Sequence, residues 1–205
     1  MIKKLFCIMG TCFYLITSCT SSKAVTLSST FKSVFIEPLG SGEEYQIYNA
    51  IIESNYASYP ILIILDQTNY FYESNADDFE YLKETLPSLD KEIVADYLKR
   101  NNRSYQLKDL FAPYGTEIVL VDVGYVDWIF KAEDFDKAWQ TFHEIHSKSY
   151  GFITLSKVGV NTEQDQAIVF VQGLCGPTCG IGEFFLLSKL NKRWQVDKKV
   201  TIFLA

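Results

Sequence analysis

The sequence contains no apolar run of the roughly 18 residues that a helix needs to cross a bilayer, which excludes a multi-pass membrane protein. Basic charge is scarce: 19 Lys and Arg stand against 25 Asp and Glu, a formal charge of −6. That balance argues against a nucleic-acid partner, because phosphate binding needs a surplus of cations. Histidine occurs twice, at His143 and His146, so any imidazole chemistry falls on those two residues. There is no internal repeat, and no low-complexity segment beyond a short polar stretch after residue 19. What remains is ordinary: 205 residues, 48% hydrophobic and 21% charged. Such a composition buries a core and supports one domain of usual size.

The first residues read as an address. Met1-Ile2-Lys3-Lys4 is a short basic start, and Leu5 to Ile16 is an uncharged apolar stretch. Its length fits the core of a secretory signal and is too short for a spanning helix. The stretch ends in Ile16-Thr17-Ser18-Cys19, an aliphatic residue, two small residues and a cysteine. This resembles the lipobox of bacterial lipoproteins. The resemblance implies cleavage between Ser18 and Cys19, thioether lipidation of Cys19 and acylation of the new N-terminus. Two or more acyl chains give stable anchoring where one is marginal. The expected organisation is therefore a signal peptide over residues 1–18, a lipidated N-terminus and polar tether over 19–35, and a single domain over 36–205. The partner implied by the lipid is a membrane, either the cell membrane or the outer membrane. No acidic cluster follows Cys19, which favours a face towards the periplasm.

Residues 43–53 predict a helix, with capping-box spacing between Ser41 and Glu44 and an apolar face of Ile47, Tyr48, Ile51 and Ile52. Ile61 to Leu65 is a continuous aliphatic run and reads as a buried strand. Further helices are expected over 77–85, over a segment capped by Ser88 with an apolar stripe of Leu89, Ile93, Val94, Tyr97 and Leu98, and over 134–146. The last should turn Phe135, Ala138, Trp139, Phe142 and Ile145 inward. Residues 118–130 are rich in Val, Ile, Tyr and Trp and predict a strand, with Gly124 at a bulge or bend. Residues 152–160, 167–172, 183–190 and 194–204 are four strand-like runs with short polar connectors, the pattern of an antiparallel meander. The expected class is α+β, with helices on one face of a curved antiparallel sheet. A cystatin-like or nuclear-transport-factor-like cone has that order, and carries no function with it.

The C-terminal third also resembles a module of uncharacterised bacterial proteins described as exported. The residues that carry the likeness are Ser156-Lys157-Val158-Gly159-Val160-Asn161, Ala167 to Val171, Cys175-Gly176 with Cys179-Gly180-Ile181-Gly182, Phe185 to Lys189, and Trp194. The module has Phe where this chain has Val160, and a glycine in the turn before Trp194 that this chain lacks. The likeness supports the meander and implies no activity.

Candidate chemistry is sparse. Cys175 and Cys179 flank the turn sequence Gly176-Pro177-Thr178, and in an exported protein they are expected to form a disulfide. A ring of about five residues restricts little chain entropy, about 2 kcal/mol, enough to stiffen a hairpin tip. A redox-active pair is the weaker reading, since the spacing is not Cys-x-x-Cys. His143 and His146 with Cys175 and Cys179 would make up a two-Cys, two-His zinc set, but His-Glu-Ile-His lacks the metalloprotease spacing and the expectation is no metal. Gly176, Gly180 and Gly182 are expected to serve positive-φ turns rather than a phosphate. Asp66, Asp122 and Asp127 at strand ends could supply a carboxylate pair. Tyr45, Tyr48, Tyr56, Tyr59, Tyr70, Phe71 and Tyr72 could form a stacking face. No pattern implies a cofactor. The function expected is a non-enzymatic binding or assembly module of the cell envelope, with an unidentified protein or ligand partner. The alternative is a periplasmic hydrolase or thiol enzyme with its site at the Cys175–Cys179 loop. Cys19→Ser is expected to leave an uncleaved precursor without acyl groups. Intact mass of the membrane-extracted protein reads this, and an unchanged mature mass would refute the lipobox.

Overall fold

The computed structural model describes residues 39–205 apart from 41, 70–75, 87–88 and 132–133. The signal peptide, Cys19, the tether and the expected caps Ser41 and Ser88 lie outside the described residues. In chain order the elements are α1 (Gly42–Asn55), β1 (Ile61–Leu65), α2 (Ala76–Thr85), α3 (Lys91–Arg100), β2 (Glu117–Val121), α4 (Val123–Phe130), α5 (Phe135–Ile145), β3 (Ser149–Leu155), β4 (Gly159–Val160), β5 (Gln166–Gly176), β6 (Cys179–Leu190) and β7 (Arg193–Leu204). The seven strands form one sheet in the order β2-β1-β3-β5-β6-β7, with β4 paired to β5.

The α+β class and the meander are present: β3, β5, β6 and β7 pair antiparallel in sequence. The other half of the sheet differs from the antiparallel expectation, because β1 runs parallel to both β2 and β3. Parallel neighbours need crossovers, and the helices supply them. Nor do the helices keep to one face. Alternate residues of a strand point to opposite faces, and β1 is apolar in both sets. Leu62 and Ile64 pack with Tyr48, Ile51 and Ile52 of α1. Ile63 pairs its face with Val126, Ile129 and Phe142 of α4 and α5. In the meander, Val169, Phe185 and Leu187 join the α1 core, whereas Ile168, Phe184 and Val200 pack against Leu82, Ile93 and Tyr97 of α2 and α3. The result is three layers: α1, the sheet, and α2 to α5.

Two local expectations are corrected. The strand expected over 118–130 ends at Val121, and α4 follows. The Asp122 carboxylate accepts a hydrogen bond from the Tyr125 N–H at 3.1 Å, so a capping oxygen overrides the β-propensity of the next eight residues. Gly124 therefore sits in the first turn of a helix. The cap of α3 is Asp90, whose carboxylate accepts from the Glu92 N–H. In the turn between β6 and β7, Asn191 and Lys192 both take positive φ, 50° and 66°. That is the mirror-image turn that hairpin twist favours, with Lys192 at a place that suits glycine.

Close backbone approach fixes β3 beneath β5. Gly151 has φ +145°, and a Cβ there would lie 2.1 Å from the Leu174 carbonyl oxygen and 2.8 Å from Cys175 Cα. Both are backbone atoms that cannot swing aside. Gly151→Ala is expected to cost about 3 kcal/mol or more, whereas Gly42→Ala, with nothing within 4 Å, should stay within about 1 kcal/mol of the parent. Urea unfolding of the two variants measures both.

Candidate aromatic cleft

The α4–α5 face carries exposed aromatic surface. The cap at Asp122 sets the rotation of α4, so Val126 and Ile129 turn into the core and Tyr125 and Trp128, three residues apart, share the outer side. Their rings stack at 6.4 Å between centroids and 26°, and Trp128 is 69% exposed. Next to this pair, α5 ends at its C-cap His146. The His146 N–H donates to the Phe142 carbonyl, and the His146 carbonyl accepts from both the N–H and the hydroxyl of Ser149. Its ring lies edge-on to Tyr125 at 6.1 Å and tilted over Phe142 at 4.8 Å.

Beside His146 opens a cleft of about 210 Å³. Its floor is Ile61, Ile63 and Val119 from the parallel strands, and its rim is the run from Ile145 to Ser149. The His146 Nε2 is buried and has no hydrogen-bond partner among the described residues. Burial pushes the His146 imidazole below its ordinary range, so it is neutral at pH 7. Lys148 gives the rim one cation. An apolar floor, a neutral imidazole with the Tyr125 ring against it and a single ammonium together suit non-covalent recognition by apolar contact and a few directed polar contacts.

The residues singled out in the sequence fall elsewhere. Cys175 and Cys179 lie at disulfide bonding distance, with Cα atoms 5.1 Å apart, at the β5–β6 hairpin tip. The His143 Nε2 lies 3.0 Å from the Cys175 carbonyl oxygen, so it braces the hairpin backbone and leaves the sulfurs alone. Among the described residues no group of three His, Cys, Asp or Glu is placed to hold a metal ion, and the pairing of Cys175 with Cys179 takes both thiols away from His143 and His146. Asp66 is a structural hub: its carboxylate accepts from Gln106 at 2.7 Å and from the Val123 N–H at 3.2 Å. Asp122 caps α4, and Asp127 is exposed on that helix. The three do not form a catalytic pair.

Gly176, Gly180 and Gly182 also correct their expectation. They lie within β5 and β6, and the glycines with positive φ among the described residues are Gly115 and Gly151. Gly182 makes room for Phe203, whose ring a Cβ would meet at 2.2 Å. Of the expected stacking residues, Tyr45, Tyr48 and Tyr56 are buried core, and 70–72 lie outside the described residues. Burial pushes the Tyr48 and Tyr56 hydroxyls well above their ordinary range. Phe135 and Ile145, expected inside, are 51% and 53% exposed. Trp128 gave no sign of its role in the sequence, because a strand reading placed it in the sheet.

No family model, curated protein or solved structure matches the chain.

His146 predicts an acid sensitivity. Its folded-state pKa is depressed, and its unfolded value is near 6.5. The unfolded chain thus binds the extra proton first as pH falls through 6.5, and the folded state loses stability from there downward. His146→Phe keeps the ring packing and removes the titration. The stability difference between wild type and variant should be constant well above about pH 6.5 and move against wild type as pH falls through about 6.5, read by denaturant unfolding across a pH series.

Proposed function

We propose that this chain is a lipid-anchored protein of the bacterial cell envelope, facing the periplasm, whose folded domain binds a partner at the α4–α5 aromatic cleft without chemically transforming it. Ile16-Thr17-Ser18-Cys19 supports the anchor. The pairing of Cys175 with Cys179 supports an oxidising compartment. The observation that carries the binding reading is Trp128, 69% exposed and stacked on Tyr125, whose ring lies 6.1 Å from that of His146 on the cleft rim. Aromatic anchors next to a partly desolvated pocket are where binding energy concentrates.

A lysine-reactive crosslinker applied to intact cells tests this reading through Lys148. A specific product joined at Lys148 is expected, and Trp128→Ala should weaken the interaction about tenfold or more, the scale of an aromatic anchor. Equal capture by wild type and Trp128→Ala, at equal thermal stability, would remove the cleft from the proposal.

A further inference from the structure

We infer that the groove between α2 and α3 binds a single-chain anionic amphiphile, an acyl chain ending in a carboxylate. The inference is independent of the α4–α5 cleft. The two helices bury Leu82, Ile93 and Tyr97 against the meander and leave a groove of about 410 Å³ on their outer side. Leu86 and Val94 form its buried floor, and Leu89 and Leu98 its walls. Leu98 is 42% exposed. The groove falls within the volume range of small-molecule sites.

Charge decides which molecule fits. Among the described residues Lys83 and Lys91 line the groove and no carboxylate does, in a chain whose net charge is −6. Asp90 and Glu92, which flank Lys91, are directed elsewhere. Asp90 accepts from the Glu92 N–H at 2.8 Å, and the Glu92 carboxylate accepts from the Thr162 hydroxyl at 2.8 Å. Lys83 holds Glu80 in an exposed ion pair at 2.6 Å, a weak contact that a ligand carboxylate can replace. Lys91 has no ion-pair partner among the described residues. Lys91 and Leu98 stand about 10 Å apart along the α3 axis, so a carboxylate at Lys91 sends its chain along the apolar walls towards Leu98. A cationic head would meet two ammonium groups, and a neutral head would leave Lys91 without a counter-charge.

Dodecanoate carrying a diazirine near its tail, and a dodecyl maltoside carrying the same group, are the probes. They are photolysed in membranes that contain the full chain, and the labelled peptides are identified by mass spectrometry. The anionic probe is expected to label the α3 peptide at least tenfold more than the neutral one, and excess plain dodecanoate should compete. Leu98→Asp and Lys91→Glu should each lower the labelling at least tenfold. Lys91→Glu keeps the fold, since a carboxylate in the first turn suits the helix dipole. Equal labelling by the two probes, or labelling indifferent to both substitutions, would overturn the inference.

Discussion

The organising constraint of this structure is a strand with no wet side. Ile61 to Leu65 is aliphatic at every position, and four of its five residues are buried. A strand of that kind must have strands on both edges and layers on both faces. β2 and β3 take the edges, each in parallel register. α1 takes one face and α4 with α5 the other. Because parallel pairing demands long crossovers, the same strand also requires the α2–α3 and α4–α5 helix pairs that carry the groove and the cleft. The surface features of the domain follow from where β1 must be buried.

Much of this was legible residue by residue, and the failures have physical causes. The meander was readable because β5 to β7 alternate or run apolar between short polar turns. α1 and α3 were readable because their apolar stripes repeat at helical spacing. The partners of β1 were not, since a continuous apolar run carries no sign of strand direction. α4 was misread because Val123-Gly124-Tyr125-Val126 favours a strand on side-chain grounds, and one carboxylate oxygen on Asp122 decides otherwise. That error hid the candidate site, since Trp128 comes to the surface only in the helical register. Asp66 was picked out for chemistry because an acid at a strand end is conspicuous. Its contacts show the commoner reason for such an acid: it holds Gln106 and the Val123 N–H at the junction of β1 and α4.

The disulfide hairpin and the aromatic cleft belong to one mechanical unit, although their residues are far apart in sequence. α5 touches both. His143 reaches the Cys175 carbonyl at the hairpin tip, and His146, one turn on, caps the helix and holds the loop into β3. Gly151 then lets β3 pass hard against Leu174 and Cys175. The rim of the cleft between Ile145 and Ser149 is therefore held from two sides, by a helix cap and by a hairpin that the Cys175–Cys179 pair keeps narrow. Rigid rims of this kind lower the ordering cost of binding.

The sheet path ends at β7, twelve residues long, and its outer rim faces no strand among the described residues. Lys198 and Lys199 sit near the middle of it, both exposed. Were two molecules to meet rim to rim in opposite directions about Lys198, that side chain would confront its own counterpart, while Lys199 stays paired with Glu183 at 3.2 Å. Mutual repulsion of ammonium groups would then oppose stacking into fibres, a safeguard for a domain that presents a long open border.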